Sequence, residues 1–183
     1  MNLITKRLQL REWRDADREP FAEISADPAV MEFLIPLQRE KALGEWIDNQ
    51  INHMQAHGFC FWAVERKEDG IFIGTVGLRK VGYEAFFTPA VEIGWRIARP
   101  FWGLGYAPEA AQACLQFGFD TLNLSEIIAI TVPSNLKSRR VMSKLGMAYN
   151  PNEDFDHPLV PKGHYLRRHV LYRLLRDQWQ NNN

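Results

Sequence analysis

A glycine-bearing loop, Trp102 to Ala107 (W-G-L-G-Y-A), follows a short strand over Val91 to Ile97 and opens a helix. Gly103 and Gly105 lack a Cβ, so the backbone there can turn sharply and an anion can approach its N–H groups. A helix starting near Tyr106 adds N–H donors with no intrahelical acceptor and the positive end of its dipole. Pro108 suits the first helical turn, where its missing N–H costs nothing. The chemistry on offer is phosphate binding; the competing reading is a plain glycine turn between strand and helix. A dinucleotide fingerprint fails because Pro108 stands at the third glycine position, and a P-loop fails because no Gly-Lys-Ser/Thr follows. On the strand, Glu92 is the side chain able to move a proton.

The elements that must position this stretch follow from hydrophobic periodicity. Leu3 to Glu12 reads as one half-exposed strand, with Leu8 and Leu10 alternating against Arg7, Gln9 and Arg11. Asp15 or Asp17 caps a helix through Ile24, and Asp27-Pro28 breaks the chain before a short helix over Ala29 to Leu34. Gln38 to Ala56 reads as one helix, its Leu43, Ile47, Ile51 and Met54 on one face, stopped by Gly58. Phe59 to Arg66 and Ile71 to Arg79 form a hairpin about Glu68-Asp69-Gly70. Gly74 and Gly77 mark either a bulge, a close backbone approach or a weak strand. The aromatic loop from Lys80 to Pro89 either walls a substrate site or tucks over the core.

Pro108 to Leu122 reads as a helix and Ile127 to Val132 as a buried strand. Ser134 or Asn135 caps a helix through Leu145, which Gly146 ends. Met147 to Asn150 is a short strand, 152–163 an irregular loop and His169 to Leu175 a final strand. Hairpin strands first and helix crossovers later predict a mixed sheet covered on both faces.

The 183 residues suit one domain, 1–183. Lys plus Arg and Asp plus Glu are each 22, so no global charge favours nucleic acid or an anionic membrane. Cys60 and Cys114 lie in apolar surroundings without metal-ligand spacing, which predicts buried thiols, a reducing compartment and no metal. No apolar h-region opens the sequence and no run approaches the roughly 18 apolar residues of a membrane span. A soluble, cytoplasmic protein with no membrane or nucleic-acid partner is the expectation.

Several stretches together resemble the GCN5-related N-acetyltransferases (GNAT), in particular the RimJ/RimL-like branch that acetylates protein N-termini. They are T-K-R-L-Q-L-R at 5–11, A-D-P-A-V-M-E-F-L at 26–34, V-E-I-G-W-R-I at 91–97 followed by W-G-L-G-Y-A-P-E-A-A, N-L-K-S-R-R-V-M-S-K-L-G-M at 135–147 and H-V-L-Y-R-L-L at 169–175. The resemblance implies an α/β (α+β) fold with a mixed, mostly antiparallel sheet of about seven strands, about four helices and splayed fourth and fifth strands. Those strands are 90–97 and 127–132 here.

It also implies acetyl-CoA as cosubstrate. The backbone of Gly103, Leu104, Gly105, Tyr106 and Ala107 would hold the pyrophosphate, and that of Trp95, Arg96 and Ile97 would pair with the pantetheine arm. Asn135 would bond the pantetheine, with Ser138 near the sulfur; the plainer reading of Asn135 is a helix N-cap. Trp102 departs from the family's Gln/Arg at the head of the loop. Arg139 is either a phosphate contact or part of an ordinary solvated helix face.

The implied acceptor is a primary amine, chiefly a protein or peptide N-terminal α-amine. A small amine such as a polyamine, or a non-catalytic acyl-CoA-binding role, are the alternatives, with a monomer or homodimer as the assembly. An α-amine of pKa about 8 costs only ~1.4 kcal/mol to deprotonate at pH 7, against ~4.6 kcal/mol for a lysine amine. Glu92 is the candidate base, directly or through water, or else a group that orients substrate. Relatives often carry a Glu five residues before the Asn and a Tyr seven after it; here these are Ile130 and Met142, leaving the Ser138 hydroxyl as the catalytic donor. A first expectation is that Glu92→Gln loses more turnover at low pH than at high pH.

Overall fold

The computed structural model describes residues 2–36 and 38–182. The elements are β1 (Leu3–Ile4), β2 (Leu8–Arg11), α1 (Arg18–Ala26), α2 (Pro28–Met31), α3 (Arg39–Leu43), α4 (Glu45–His57), β3 (Phe61–Arg66), β4 (Phe72–Lys80) and β5 (Val91–Ile97). They continue as α5 (Tyr106–Gln116), β6 (Glu126–Thr131), α6 (Leu136–Lys144), β7 (Ala148–Tyr149), β8 (Phe155–Asp156), β9 (Arg168–Leu175) and α7 (Arg176–Asn182). The sheet runs β1-β2-β3-β4-β5-β6-β9-β7, with β8 on β9. Every neighbouring pair is antiparallel except β5 and β6, which are parallel.

Side chains of β5 alternate between the two faces. Ile93 and Ile97 join the core cluster that also holds Ala110, Ala111 and Leu115 of α5. Glu92, Gly94 and Arg96 point the other way, where Arg96 meets Phe21 of α1 and Trp46 of α4. Helices therefore cover both faces, as the sequence predicts. The ladder between β5 and β6 consists of one register pair, Glu92 with Ile128. Beyond it β5 keeps only β4, and the two strands part.

Three sequence expectations are corrected. Leu3 to Glu12 is a hairpin, not one strand. The Thr5 hydroxyl accepts the Leu8 N–H at 2.9 Å, and the Thr5 N–H donates to the Leu8 carbonyl at 2.9 Å, which turns the chain back. The helix over 38–56 is broken at Gly44, whose φ of −116° and ψ of −87° leave the helical region. Arg18 of α1 donates to the freed Leu43 carbonyl at 2.8 Å. The irregular loop at 152–163 contains β8, so nine strands replace about seven among the described residues.

Gly74 and Gly77 are close backbone approaches. A Cβ on Gly77 would lie 2.1 Å from the Cys60 carbonyl of the neighbouring strand's lead-in, and one on Gly74 would lie 2.1 Å from the Arg96 carbonyl. Backbone cannot yield by that much without parting the ladder. Gly77→Ala should lose about 3 kcal/mol or more, roughly 10 °C in Tm for a chain of this length. A thermal melt by circular dichroism with Tm unchanged would contradict the close approach.

Candidate active site

One cavity of about 720 Å3 runs through the gap where β5 and β6 part. One half is walled by the glycine loop and the start of α6, the other by α2, the segment to Pro36, and the β5 face that carries Glu92, Gly94 and Arg96.

In the first half the loop has the local geometry of an anion nest. Gly103 and Gly105 have φ of 76° and 81°, a left-handed region closed to most side chains. Gly105 is the N-cap of α5, so the loop amides and the first-turn amides of the helix sit together. Gly103 to Gly105 are exposed, while Tyr106 is buried. Gly103, Gly105, Tyr106 and Ala107 line the cavity; Leu104 is not among its walls, and its side chain is half exposed.

The loop is braced from the far edge of the sheet. Arg7 donates to the Leu104 carbonyl at 2.9 Å and to Glu109 at 2.6 Å, with its guanidinium 4.4 Å above the Tyr106 ring. Sequence reasoning passed over this brace because Arg7 and Glu109 are far apart in the chain. Arg7→Ala should weaken coenzyme A binding about five- to tenfold with little change in Tm, since the side chain is partly exposed and contributes on the order of 1 kcal/mol. Calorimetric titration checks it; an unchanged affinity would mean the loop holds its shape unaided.

The free edge of β5 faces the same half. Ala98 N–H donates to the Ile73 carbonyl at 2.9 Å toward β4, and alternation turns the backbone of Trp95 and Ile97 to the gap and that of Arg96 toward β4. The Ile97 carbonyl already accepts the Trp102 indole N–H at 2.7 Å. Trp102, at the departure from the family pattern, thus ties the loop to the strand, and Trp95 keeps its edge groups for a partner strand or ligand.

Asn135 is the N-cap of α6, its side-chain oxygen accepting the Ser138 N–H at 3.2 Å and its amide donating to Thr131 at 2.9 Å. The plainer reading is therefore realised, and one amide hydrogen is left for a ligand. Both Asn135 and Ser138 line the cavity, as do Ile130 and the buried Met142. Arg139 does not. It donates to the Tyr172 hydroxyl and the Pro133 carbonyl, both at 3.1 Å. The cavity-facing cations of α6 are Lys137, Arg140 and Lys144, spaced at i, i+3 and i+7 on one helical face. That spacing was the available signal for them.

In the second half, Glu92, which forms the one register pair of β5 with β6, lines the cavity. Burial pushes its carboxyl up to about 7, against a smaller opposing pull from Arg79. His157 and His169 stand on the same wall with rings 4.9 Å apart. Burial lowers both, His157 to about 4, so both are neutral at pH 7. His164 and Tyr165 are not among the walls. The aromatic loop is not one either. Phe87 and Tyr83 pack with Ile128, Phe155 and Leu171 in a separate cluster, so the loop tucks over the core. Among the described residues no group of three His, Cys, Asp or Glu could hold a metal ion, and no helix is long and apolar enough to cross a membrane.

A nest for phosphate, a free strand edge and an electrophile-sized gap beside a carboxylate suit a coenzyme A thioester. Comparison with known proteins agrees. The family model of the acetyltransferase (GNAT) domain matches residues 7–148. The uncharacterized N-acetyltransferase YnaD of Bacillus subtilis is 34% identical over 98% of this chain and 99% of its own length. FsC-acetyl coenzyme A-N(2)-transacetylase of Aspergillus fumigatus is 29% identical over 97% of this chain and 77% of its own. The crystal structure of a GNAT-family acetyltransferase from Bacillus anthracis superposes with a TM-score of 0.78 at 27% identity, covering 97% of this chain and 99% of that one. With the splayed strands, the glycine nest and these matches in agreement, the chain belongs to the GNAT acetyltransferases, in their RimJ/RimL-like branch, and is an acetyl-CoA-dependent N-acetyltransferase.

Proposed function

We propose that the chain, acting as one catalytic domain, acetylates the N-terminal α-amine of a peptide or protein. The observation that carries this is Glu92 at the waist of the cavity with a carboxyl raised to about 7. A base of that strength is matched to an α-ammonium of pKa about 8 and falls well short of a lysine ammonium near 10.4. The acceptor wall also argues against a polycation. Its carboxylates are Glu92 and Glu32, and it carries Arg96, whereas a polyamine calls for several acids.

In this reading, the amides of Gly103 to Ala107 hold the pyrophosphate, with Lys137, Arg140 and Lys144 supplying charge for the remaining phosphate. Trp95 and Ile97 align the pantetheine arm along the free edge of β5, and the remaining Asn135 amide hydrogen bonds to it. Bound acetyl-CoA supplies the electrophilic carbonyl. Glu92 accepts a proton from the amine as the C–N bond forms. Ser138, whose hydroxyl makes no hydrogen bond to the described residues, donates to the sulfur as the C–S bond breaks. A thiol of pKa about 8.5 leaves without full protonation, so Met142 at the usual acid position does not preclude turnover, and Glu92 serves in place of the base absent at Ile130.

One observation favours a different acceptor, the likeness to FsC-acetyl coenzyme A-N(2)-transacetylase, whose name specifies an N(2) position. Thiol release from acetyl-CoA with a panel of N-terminal peptides, polyamines and other small amines separates the two. The α-amine reading requires peptides to give the highest kcat/KM; faster turnover of small amines would replace it, and no release with any amine would leave an acyl-CoA-binding role.

A further inference from the structure

Arg96 is a half-buried cation with no counter-ion among the described residues, and its Nε is fully buried. Its guanidinium lies 5.1 Å from the Phe21 ring and 5.4 Å from the Trp46 ring, and those two rings stack at 4.4 Å. One nitrogen, Nη1, donates to the Ser25 hydroxyl at 3.0 Å. Nε is buried and meets no acceptor, and among the described residues no carboxylate lies within ion-pair distance of the group. Burial lowers Arg96 to about 10, with no opposing charge to raise it. By contrast, Arg11 has Asp17 at 2.7 Å and Arg173 has Glu126 at 2.7 Å.

Buried charges are normally paired, because desolvation without a partner costs several kcal/mol. The aromatic pair offsets part of that cost, but aromatic faces do not satisfy a planar fork of N–H donors. Arg96 is fixed in place, rimmed by rings and open to the cavity. A ligand anion is the missing partner.

Which ligand follows from the face it occupies. The cofactor phosphates have their own cations, Lys137, Arg140 and Lys144, on α6 across the gap. Arg96 stands on the opposite sheet face, with Glu92 and Gly94, toward α1 and α4. Between Glu92 and Arg96 the floor is flat: Gly94 has no side chain, and a Cβ there would meet the Phe61 ring at 3.2 Å. The two backbone positions are four residues apart, roughly 13 Å along the strand. Reduced by the reach of both side chains, that span fits an amine and a carboxylate two or three extended residues apart.

We propose that Arg96 forms the anion end of the acceptor subsite, selecting peptide N-termini that carry a carboxylate within their first three residues. The proposal rests on the peptide-acceptor reading given above and names its substrate class. Bidentate pairing of a carboxylate with a pre-set guanidinium is directional as well as attractive, so Arg96 acts on specificity while Glu92 handles the proton.

Matched tripeptides that differ by Glu against Gln at position two or three test it, alongside α-amino acids and their carboxamides, all with acetyl-CoA and the full chain. The expected result is a 10- to 100-fold preference in kcat/KM for the Glu peptides, carried mainly by KM. Arg96→Met should reduce that preference to near one and Arg96→Lys should keep part of it, with coenzyme A binding and Tm followed as controls of folding. If Arg96→Met does not fold, the Glu/Gln ratio of the unmodified protein decides alone. A ratio near one in peptides that are turned over, or a preference that survives Arg96→Met, overturns the proposal. A carboxylate preference that depends on Arg96 but appears only with amino acids upholds the anion subsite and removes the peptide acceptor. Failure of all peptides and amino acids, with turnover of uncharged or cationic amines, overturns both.

Discussion

Glu92→Gln is expected to lower kcat/KM for a peptide α-amine by about 100-fold or more at pH 8, the scale on which a positioned base contributes. The loss should shrink as the pH falls. The unmodified enzyme needs Glu92 ionised, so with a carboxyl near 7 its activity drops an extra tenfold per unit below pH 7, on top of the amine's own dependence. The Gln variant has no such limb and retains only the dependence on the amine near pKa 8. The two rates therefore converge at low pH, which reverses the expectation drawn from the sequence. That expectation assumed a carboxylate ionised throughout the range; burial of Glu92 removes the assumption.

The same burial makes a prediction for stability with the opposite sign. The folded carboxyl titrates above its ordinary value near 4.5, so the fold favours the neutral acid. That contribution is fully present below about pH 4.5 and is lost as the pH rises through about 7. A rise of this size corresponds to roughly 3 kcal/mol at most. Gln cannot ionise, so Glu92→Gln should melt several degrees higher than the unmodified protein at pH 8 and nearly with it at pH 5. Activity lost and stability gained at one pH is the mark of a strained functional carboxylate. Rates and melts that keep the same difference at every pH would remove the base role.

Gly105→Ala is expected to weaken coenzyme A binding 10- to 100-fold while the protein stays folded. Gly105 has φ of 81°, where an L side chain costs about 1–2 kcal/mol. The new Cβ would lie 3.4 Å from the Arg7 guanidinium, an ordinary contact that demands no rearrangement of the core. The chain relieves the strain by turning the loop out of its left-handed conformation, which disperses the amides that form the nest. Calorimetric affinity within threefold of the unmodified protein, at an unchanged Tm, would mean the amides do not carry the phosphate.

Much of this was legible before any coordinates. Gly58, Gly70, Gly103, Gly105 and Gly146 all carry the positive φ expected of helix stops, turns and the loop. Asn135 caps α6, and the hairpin of β3 and β4 turns where Glu68-Asp69-Gly70 places it. These features are set by short-range backbone energetics, which a few consecutive residues fix by themselves. For the same reason the glycine loop, the strand bearing Glu92 and the helix after Asn135 were identified by motif and spacing. The family followed.

What sequence alone left open were matters of which distant residues meet. Gly44 reads as a tolerated glycine in a long helix, but Arg18 from another helix takes the Leu43 carbonyl and stabilises the break. Arg139 reads as either a phosphate contact or part of a solvated helix face until Tyr172 and the Pro133 carbonyl claim it. Tyr83 and Phe87 read either as a substrate wall or as a loop tucked over the core, and a buried cluster with Ile128 and Leu171 decides for the latter. Arg96 is one letter within a strand motif, yet its lack of an ion pair among the described residues and its place against Phe21 and Trp46 exist only in three dimensions. Local propensity depends on neighbours in the chain, whereas burial, ion pairing and a carboxyl at about 7 depend on neighbours in space. The sequence determined the cofactor loop and the family; the tertiary structure decided the state of Glu92 and the unpaired charge of Arg96.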